Sequence, residues 1–218
     1  MRPNVGEALR YLGIPHPPGE LLREAERMAD ELSAGLQPRY FYRVLKIERL
    51  PDCVRLQGAG IDLTGSTALT MLEHCDRAVL LACTLGARFD AKLLAIQARD
   101  MAKAVIYDAL GSAFVEAGCD EAEQEIATWF PDSYLTDRFS PGYGDLPLEL
   151  QPALCTALDA QRRLGITVTQ SLLMNPVKSV TAVIGLSDQP QPARIRGCES
   201  CMMQDTCPFR KEGTHCGT

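Results

Sequence analysis

The segment 101–115 constrains the fold more than any other, because its residues are apolar on almost every side of a helix. Apolar side chains fill most positions from Met101 to Val115, and only a narrow polar strip that includes Asp108 remains. Helices that are apolar nearly all round are buried in soluble proteins. The sequence therefore predicts a central helix covered by other elements. Asp108 is then held by a partner inside the fold or turned toward a cleft.

The segments around this helix predict further helices and strands in no strict βαβ alternation. Helical periodicity marks 4–12, 20–36, 86–118 (with a break near 99–100), 119–129 and 148–163, and Thr64 or Ser66 is expected to cap a short helix that ends near Cys75. Aromatic and β-branched residues mark strands within 39–49, 54–63, 77–84, 134–139, 166–168 and 179–186. This mixture predicts an α+β fold with a mainly antiparallel sheet, in one domain that spans residues 1–188.

Composition narrows the classes of function. The 218 residues carry a formal net charge of −6 without a basic stripe, which argues against nucleic-acid binding. No run of about 18 apolar residues exists, so no membrane span is expected. The first residues lack the apolar core of a signal peptide, and nine cysteines without an export signal are typical of reduced thiols or metal ligands. We therefore expect a cytoplasmic protein.

The stretch from Arg138 to Pro147, RFSPGYGDLP, has the composition of a shaped loop. Its prolines fix φ, and its glycines allow backbone angles that other residues avoid. The same loop carries one permanent cation, Arg138, and one aromatic ring, Tyr143. An arginine fork beside such a turn suits an anionic or zwitterionic small molecule. The alternative is a simple Pro/Gly turn between two elements.

The order Arg-x-x-Pro-Gly-Tyr at 138–143 resembles the signature of the activation domain of cobalamin-dependent methionine synthase. A second segment, ITVTQSLLMNPVKSVTAVIGL at 166–186, is similar to a strand region of that family. The matching positions there are Thr169, Ser171, Met174, Pro176, Ser179 and Val180. The resemblance covers roughly residues 100–186 and implies a short relative of this activation domain.

What the resemblance implies for single residues is specific. Arg138 would bind the carboxylate of S-adenosylmethionine, the backbone around Ser140, Pro141 and Gly142 would contact the same ligand, and Tyr143 would lie at the corrin face. Beyond Tyr143 the family continues with Pro, Ala, Cys, Pro and Asp. This chain has Gly, Asp, Leu, Pro and Leu at 144–148 instead.

Residues 189–218 predict a linker followed by a cysteine-rich tail. The tail holds Cys198, Cys201, Cys207 and Cys216 in the spacing C-x2-C-x5-C-x8-C. Thiolates at this density favour a metal centre. Only one C-x2-C pair is present, and Cys207 precedes a proline as in ferredoxins, so an iron–sulfur cluster is the first interpretation and structural zinc the alternative. A tail without metal is the third.

Three functions remain open at this point, and the chain has no nucleophile-plus-base motif or phosphate loop of its own. The first is an accessory reactivation subunit that positions S-adenosylmethionine for reductive remethylation of cobalamin held by a corrinoid methyltransferase or methionine synthase core. The second is an iron–sulfur protein that reduces such a corrinoid without S-adenosylmethionine. The third is a binding or scaffold protein. A flavodoxin or ferredoxin is the implied electron donor.

Overall fold

The structure, a computed structural model, describes residues 1–192 of the chain. Its helices are α1 (Val5–Tyr11), α2 (Gly19–Gly35), α3 (Ser66–Met71), α4 (Ala87–Gln97), α5 (Met101–Trp129), α6 (Gln151–Ala157) and α7 (Ala160–Leu164), with a 3-10 turn at Leu148–Leu150. Its strands are β1 (Arg39–Arg49), β2 (Cys53–Leu56), β3 (Ile61–Thr64), β4 (Cys75–Thr84), β5 (Tyr134–Leu135), β6 (Thr167–Val168), β7 (Met174–Asn175) and β8 (Ser179–Ser187). Within this range, no helix has both the length and the apolarity that crossing a lipid bilayer requires.

Six strands form one sheet in the order β3-β2-β1-β4-β8-β5, and every neighbouring pair is antiparallel. β4 lies between its two longest partners, and its residues from Ala78 to Thr84 are all buried. A strand that is apolar on both sides needs cover on both faces of the sheet, and helices provide it. The arrangement confirms the predicted α+β fold with a mainly antiparallel sheet.

The predicted central helix is α5, which packs with α1, α2 and α4 against one face of the sheet to form the first core. Asp100 caps its start, because its Oδ1 accepts a hydrogen bond of 3.1 Å from the backbone N–H of Lys103. Asp108 accepts a hydrogen bond of 2.9 Å from Lys178 Nζ. Of the two predicted alternatives, the structure shows the one in which a partner holds this carboxylate.

The predicted separation of two helices after Gly118 is wrong, since α5 continues to Trp129. Gly118 is instead required by close packing inside the helix's interface with the sheet. A Cβ atom at position 118 would lie 2.5 Å from Pro38 Cβ and 2.8 Å from Cys83 Sγ. Gly118 thus allows a close approach between α5 and the sheet, and the helix does not end there.

The opposite face of the sheet carries a second core formed with α3, α6 and α7. The helix predicted for 148–163 is interrupted here, because Asp159 adopts the left-handed conformation with φ 51° between α6 and α7. The strand predicted for 134–139 is also shorter: it forms β5 and then leaves the sheet, and only Phe139 returns to pair with Val183.

The predicted cap of the short helix is wrong as well. Its N-cap residue is Gly65, Ser66 is already the first helical residue, and α3 ends at Met71. The carboxylate that caps this helix comes from Asp145, far away in the sequence.

The cysteines among the described residues behave as small apolar residues. Cys75, Cys83, Cys119 and Cys155 are buried and Cys53 is half-buried. A hydrogen bond with Cys83, together with burial, raises the pKa of Cys119 well above its ordinary value. Cys83 and Cys119 therefore contribute packing between the sheet and α5.

We expect Gly111→Ala to destabilise the protein, because an added Cβ would lie 2.1 Å from Cζ of Phe89. Phe89 is fully buried and stacks on Tyr107 at a centroid distance of 4.9 Å, so its ring cannot move aside freely. Overpacking of this kind costs about 1–3 kcal/mol, more than the ~1 kcal/mol that alanine gains over glycine in a helix. Gly35→Ala in α2 is the control, since nothing lies within 4 Å of its added Cβ. Urea denaturation compares the two, and equal free energies of unfolding would contradict the packing argument.

Candidate functional site

Arg138 lies at the outer edge of the sheet, where the chain passes β8. Its neighbour Phe139 exchanges two backbone hydrogen bonds with Val183, at 3.0 Å and 2.8 Å. The side chain of Phe139 is 1% exposed and belongs to the second core. Because successive residues of an extended segment point to opposite faces, Arg138 points toward the other face, where α5 lies.

The guanidinium of Arg138 is surrounded by three carboxylates of α5. Nη1 lies 2.7 Å from Asp120 Oδ1 and 2.6 Å from Glu123 Oε1, and Nη2 pairs with Glu116. We call these four residues the Arg138 cluster. Its formal charge is −2, from one cation and three anions, and the arginine side chain is only 11% exposed. The cluster is thus a partly buried site with an excess of negative charge.

The charges of the cluster act on one another and on α1. Burial disfavours the cation of Arg138, but Glu116 and Glu123 outweigh this effect and raise its pKa further above the ordinary value. Tyr11 of α1 donates a hydrogen bond of 2.7 Å to Glu7 Oε1. Burial, this hydrogen bond and the nearby charge of Glu116 raise the pKa of Tyr11. Tyr11 therefore stays a neutral phenol beside the cluster at physiological pH.

The Pro-Gly-Tyr segment closes on itself through backbone hydrogen bonds. Tyr143 N donates to Ser140 O at 3.0 Å, Gly142 N donates to Leu146 O at 2.8 Å, and Leu146 N donates to Tyr143 O at 3.0 Å. Gly142 has φ +88°, a left-handed conformation that favours glycine. The amides of Gly142 and Tyr143 already donate within the turn, so neither of these two N–H groups is available to a ligand.

The predicted ligand-binding residues share this sheet edge but lie in different environments. Pro141 is buried, Ser140 and Tyr143 are half-buried, and Gly142 is exposed. Tyr143 packs against the second core, whereas Arg138 reaches α5 on the other face of the sheet. The structure therefore brings the predicted residues together along one edge, with the cation and the aromatic ring on opposite sides of it.

The residues of the second similar segment have structural partners. Thr169 Oγ1 lies 2.9 Å from Ser171 Oγ and accepts a hydrogen bond from Leu173 N at 3.1 Å, which shapes the turn between β6 and β7. Ser179 Oγ donates to Pro176 O at 2.7 Å. Met174 Sδ accepts from Gln151 Nε2 at 3.2 Å, and Val180 packs against the first core. These residues therefore shape the β6–β7 turn and the start of β8.

A second polar group lies on the same helix, one turn from the cluster. Lys178 Nζ lies 2.9 Å from both Asp108 Oδ2 and Ser112 Oγ, and its side chain is 12% exposed. Ser112 precedes Glu116 by four residues, so both side chains are on one face of α5. The polar strip noticed in the sequence is thus the side of α5 that meets the cations at the sheet edge.

The carboxylates around Arg138 were missed by the sequence analysis. Glu116, Asp120 and Glu123 are spaced i, i+4 and i+7, which places them on one face of a helix. That spacing was a usable signal. It was hidden because the segment after Gly118 was assigned to a separate helix.

The predicted metal ligands Cys198, Cys201, Cys207 and Cys216 lie outside the described residues. Among residues 1–192, no group of three or more His, Cys, Asp or Glu side chains is arranged to hold a metal ion. The three carboxylates of the Arg138 cluster converge on a guanidinium instead.

Comparison with known proteins finds a similar fold among solved structures but no match by sequence. No family model matches the sequence, and a search of curated proteins finds no match. Among solved structures, the chain is similar to the MetH reactivation domain bound to AdoHcy, with a TM-score of 0.66 and 20% sequence identity. The match covers 94% of this chain and 77% of that one. A likeness at this identity establishes a shared fold, which agrees with the resemblance found in the sequence motif.

We expect Arg138→Ala to lower the free energy of unfolding by about 1–3 kcal/mol, because it leaves three carboxylates without their shared cation. Adding Glu123→Gln should recover part of the loss by removing one of the repelling charges. Urea denaturation of the single and double variants measures both effects.

The matched control is Arg55→Ala, which removes an exposed arginine paired with Asp62 at 2.7 Å. Exposed ion pairs contribute little to stability, so its effect should be smaller. Equal losses for Arg55→Ala and Arg138→Ala would contradict the account of the cluster.

Proposed function

We propose that this protein binds S-adenosylmethionine at the Arg138 cluster and serves as a reactivation module for a corrinoid-dependent methyltransferase. The observation that carries the proposal is the Arg-x-x-Pro-Gly-Tyr motif at the sheet edge of a fold shared with the MetH reactivation domain. That domain was solved with AdoHcy bound, the product that S-adenosylmethionine leaves when it gives up its methyl group. Motif and fold support the same ligand independently.

The groups of the cluster fit the amino-acid part of this ligand. Its carboxylate matches the planar fork of Arg138, and its ammonium group matches a carboxylate such as Glu123. The ion pairs of Arg138 use Nη1 and Nη2, and a guanidinium carries five donor N–H bonds, so it can bind a further acceptor. The excess negative charge also favours a ligand with a sulfonium cation.

Tyr143 and its surroundings fit a second surface. The ring packs on the second core, and Leu148, whose Cδ1 approaches Gly142, is 39% exposed. An aromatic ring and an exposed leucine beside an exposed glycine suit contact with a flat, largely apolar macrocycle. When a partner presents cobalamin here, the cofactor would supply the cobalt centre that is reduced and remethylated. This chain would hold the methyl donor at the same sheet edge.

The partner in this proposal is a corrinoid-binding methyltransferase or methionine synthase core, and the electron comes from a flavodoxin or ferredoxin. The module would have to leave after each reactivation so that the catalytic parts can return to the cofactor. A transient interface is expected for that reason.

Titration calorimetry with S-adenosylmethionine and AdoHcy tests the ligand. We expect Arg138→Lys, which keeps the charge but loses the fork, to weaken binding by about 1.5–3 kcal/mol, the range for hydrogen bonds to charged groups. Arg55→Lys is the control and should bind like the unchanged protein. Binding that is identical in all three proteins would contradict the assignment to Arg138.

The reactivation role needs a separate assay with a methyltransferase core loaded with cob(II)alamin, a reductant and S-adenosylmethionine. Faster return of methylcobalamin, lost in Arg138→Lys, is the expected result. Faster reduction that does not depend on S-adenosylmethionine would favour an electron-transfer protein instead. No effect with several such cores would leave a scaffold.

The cysteine tail is proposed to hold one metal centre through Cys198, Cys201, Cys207 and Cys216. Four thiolates in this spacing after a proline-rich linker support it. Protein purified without oxygen should contain iron with sulfide, or zinc, at about one site per chain. Metal-free protein whose tail thiols react freely with an alkylating agent would contradict the proposal.

A further inference from the structure

Asp145 connects the Pro-Gly-Tyr turn to a distant helix. Its Oδ2 accepts hydrogen bonds from Ser66 N at 2.6 Å and Ser66 Oγ at 2.7 Å, and its Oδ1 accepts one from Thr67 N at 2.8 Å. In return, Asp145 N donates to Thr67 Oγ1 at 3.3 Å. Two segments almost 80 residues apart in the sequence are therefore joined by four hydrogen bonds, three to the Asp145 carboxylate and one from its backbone N–H.

This contact replaces a cap that α3 lacks. Its N-cap residue is Gly65, which has no side chain to accept the first backbone N–H groups of the helix. Asp145 supplies the missing acceptor, and its negative charge also suits the N-terminal end of a helix. The carboxylate is thus held by groups that have few other acceptors.

Two glycines make the close approach between turn and helix feasible. A Cβ at position 65 would lie 2.7 Å from Asp145 O, and a Cβ at position 144 would lie 2.3 Å from Thr67 Oγ1. Both glycines also have positive φ, at +98° and +57°. Gly144 and Asp145, the first two residues that depart from the methionine synthase pattern after Tyr143, therefore build this contact.

The contact reaches the turn through the backbone. Asp145 lies between Tyr143 and Leu146, and Leu146 closes the turn by bonding to Gly142 and Tyr143. Leu146 is also 2% exposed and packs in the second core. Fixing Asp145 against α3 therefore restricts the turn at its end, while Phe139 fixes its beginning in the sheet.

We infer that Asp145 is a positioning residue, whose hydrogen bonds to Ser66 and Thr67 hold the Pro141–Tyr143 turn in the shape that the binding site uses. The identity of the ligand in this inference rests on the proposed function. The claim that Asp145 orders the turn rests on the hydrogen bonds alone. Preorganisation of this kind reduces the entropy lost when a ligand binds.

The contact is expected to persist across physiological pH. Hydrogen bonds from Thr67 and Ser66 hold the pKa of Asp145 well below its ordinary value. A carboxylate with a depressed folded-state pKa keeps its stabilising effect above its unfolded pKa of about 3.9 and loses it as the pH falls through the folded value. Between pH 5 and 8 the turn should therefore be equally ordered.

The test compares Asp145→Ala with Asp62→Ala, which removes a carboxylate that accepts hydrogen bonds from the exposed Arg55 at 2.7 Å and 2.9 Å. Hydrogen exchange followed by mass spectrometry reports on residues 140–147 and on the start of α3, and calorimetry reports affinity for AdoHcy. Asp145→Ala should speed exchange in both segments and weaken affinity roughly tenfold, the scale of the entropy lost when a binding turn must be ordered by its ligand. Asp62→Ala should change neither.

The outcomes separate the two proposals. One result would overturn the inference: faster exchange at the start of α3, with exchange in residues 140–147 and affinity for AdoHcy both unchanged. Asp145 would then only cap the helix. Should Asp145→Ala fail to fold, Asp145→Asn, which keeps one acceptor oxygen, carries the same comparison. If the unchanged protein binds neither S-adenosylmethionine nor AdoHcy, the proposed function fails, while exchange in residues 140–147 still decides whether Asp145 orders the turn.

Discussion

The packing of α5 against the central strands is the interaction on which the other features depend. Residues such as Leu110 and Phe114 are fully buried in the first core, which fixes the rotation of the helix about its axis. Once that rotation is fixed, the polar strip of α5 faces the outer edge of the sheet. Apolar packing therefore decides where the carboxylates of the Arg138 cluster lie, and Arg138 meets them because Phe139 is held in the second core.

The candidate site is held between the two cores rather than inside either of them. Arg138 attaches one end of the loop to α5, and Asp145 attaches the other end to α3. The contact with α5 lies on one face of the sheet, and the contact with α3 lies on the opposite face. A turn fixed at both ends can keep an exposed glycine and a half-buried tyrosine at the sheet edge. In the proposed function, this edge would be shared between the ligand and the partner.

Local patterns in the sequence predicted most of the helices and strands, because the periodicity and propensity of neighbouring residues favour the same element. The aromatic and β-branched run at Arg39–Arg49 matches β1 at both ends, and the break before Met101 is real. The failures occur where a distant residue decides. Gly118 was interpreted as a helix end, but it is needed because Pro38 packs closely against it. The cap of α3 could not be found in the local sequence because Asp145, a distant residue, provides it. Likewise, the spacing of Glu116, Asp120 and Glu123 was visible in the sequence, whereas their contact with Arg138 required the tertiary packing of α5.

A crystal structure of the protein with AdoHcy tests the central claim most directly, because it locates the ligand without relying on a partner. The account predicts that the ligand carboxylate lies within hydrogen-bonding distance of the Arg138 guanidinium, and that at least one of Glu116, Asp120 and Glu123 turns toward the ligand ammonium group. A ligand bound elsewhere, with the three ion pairs of Arg138 intact, would contradict it.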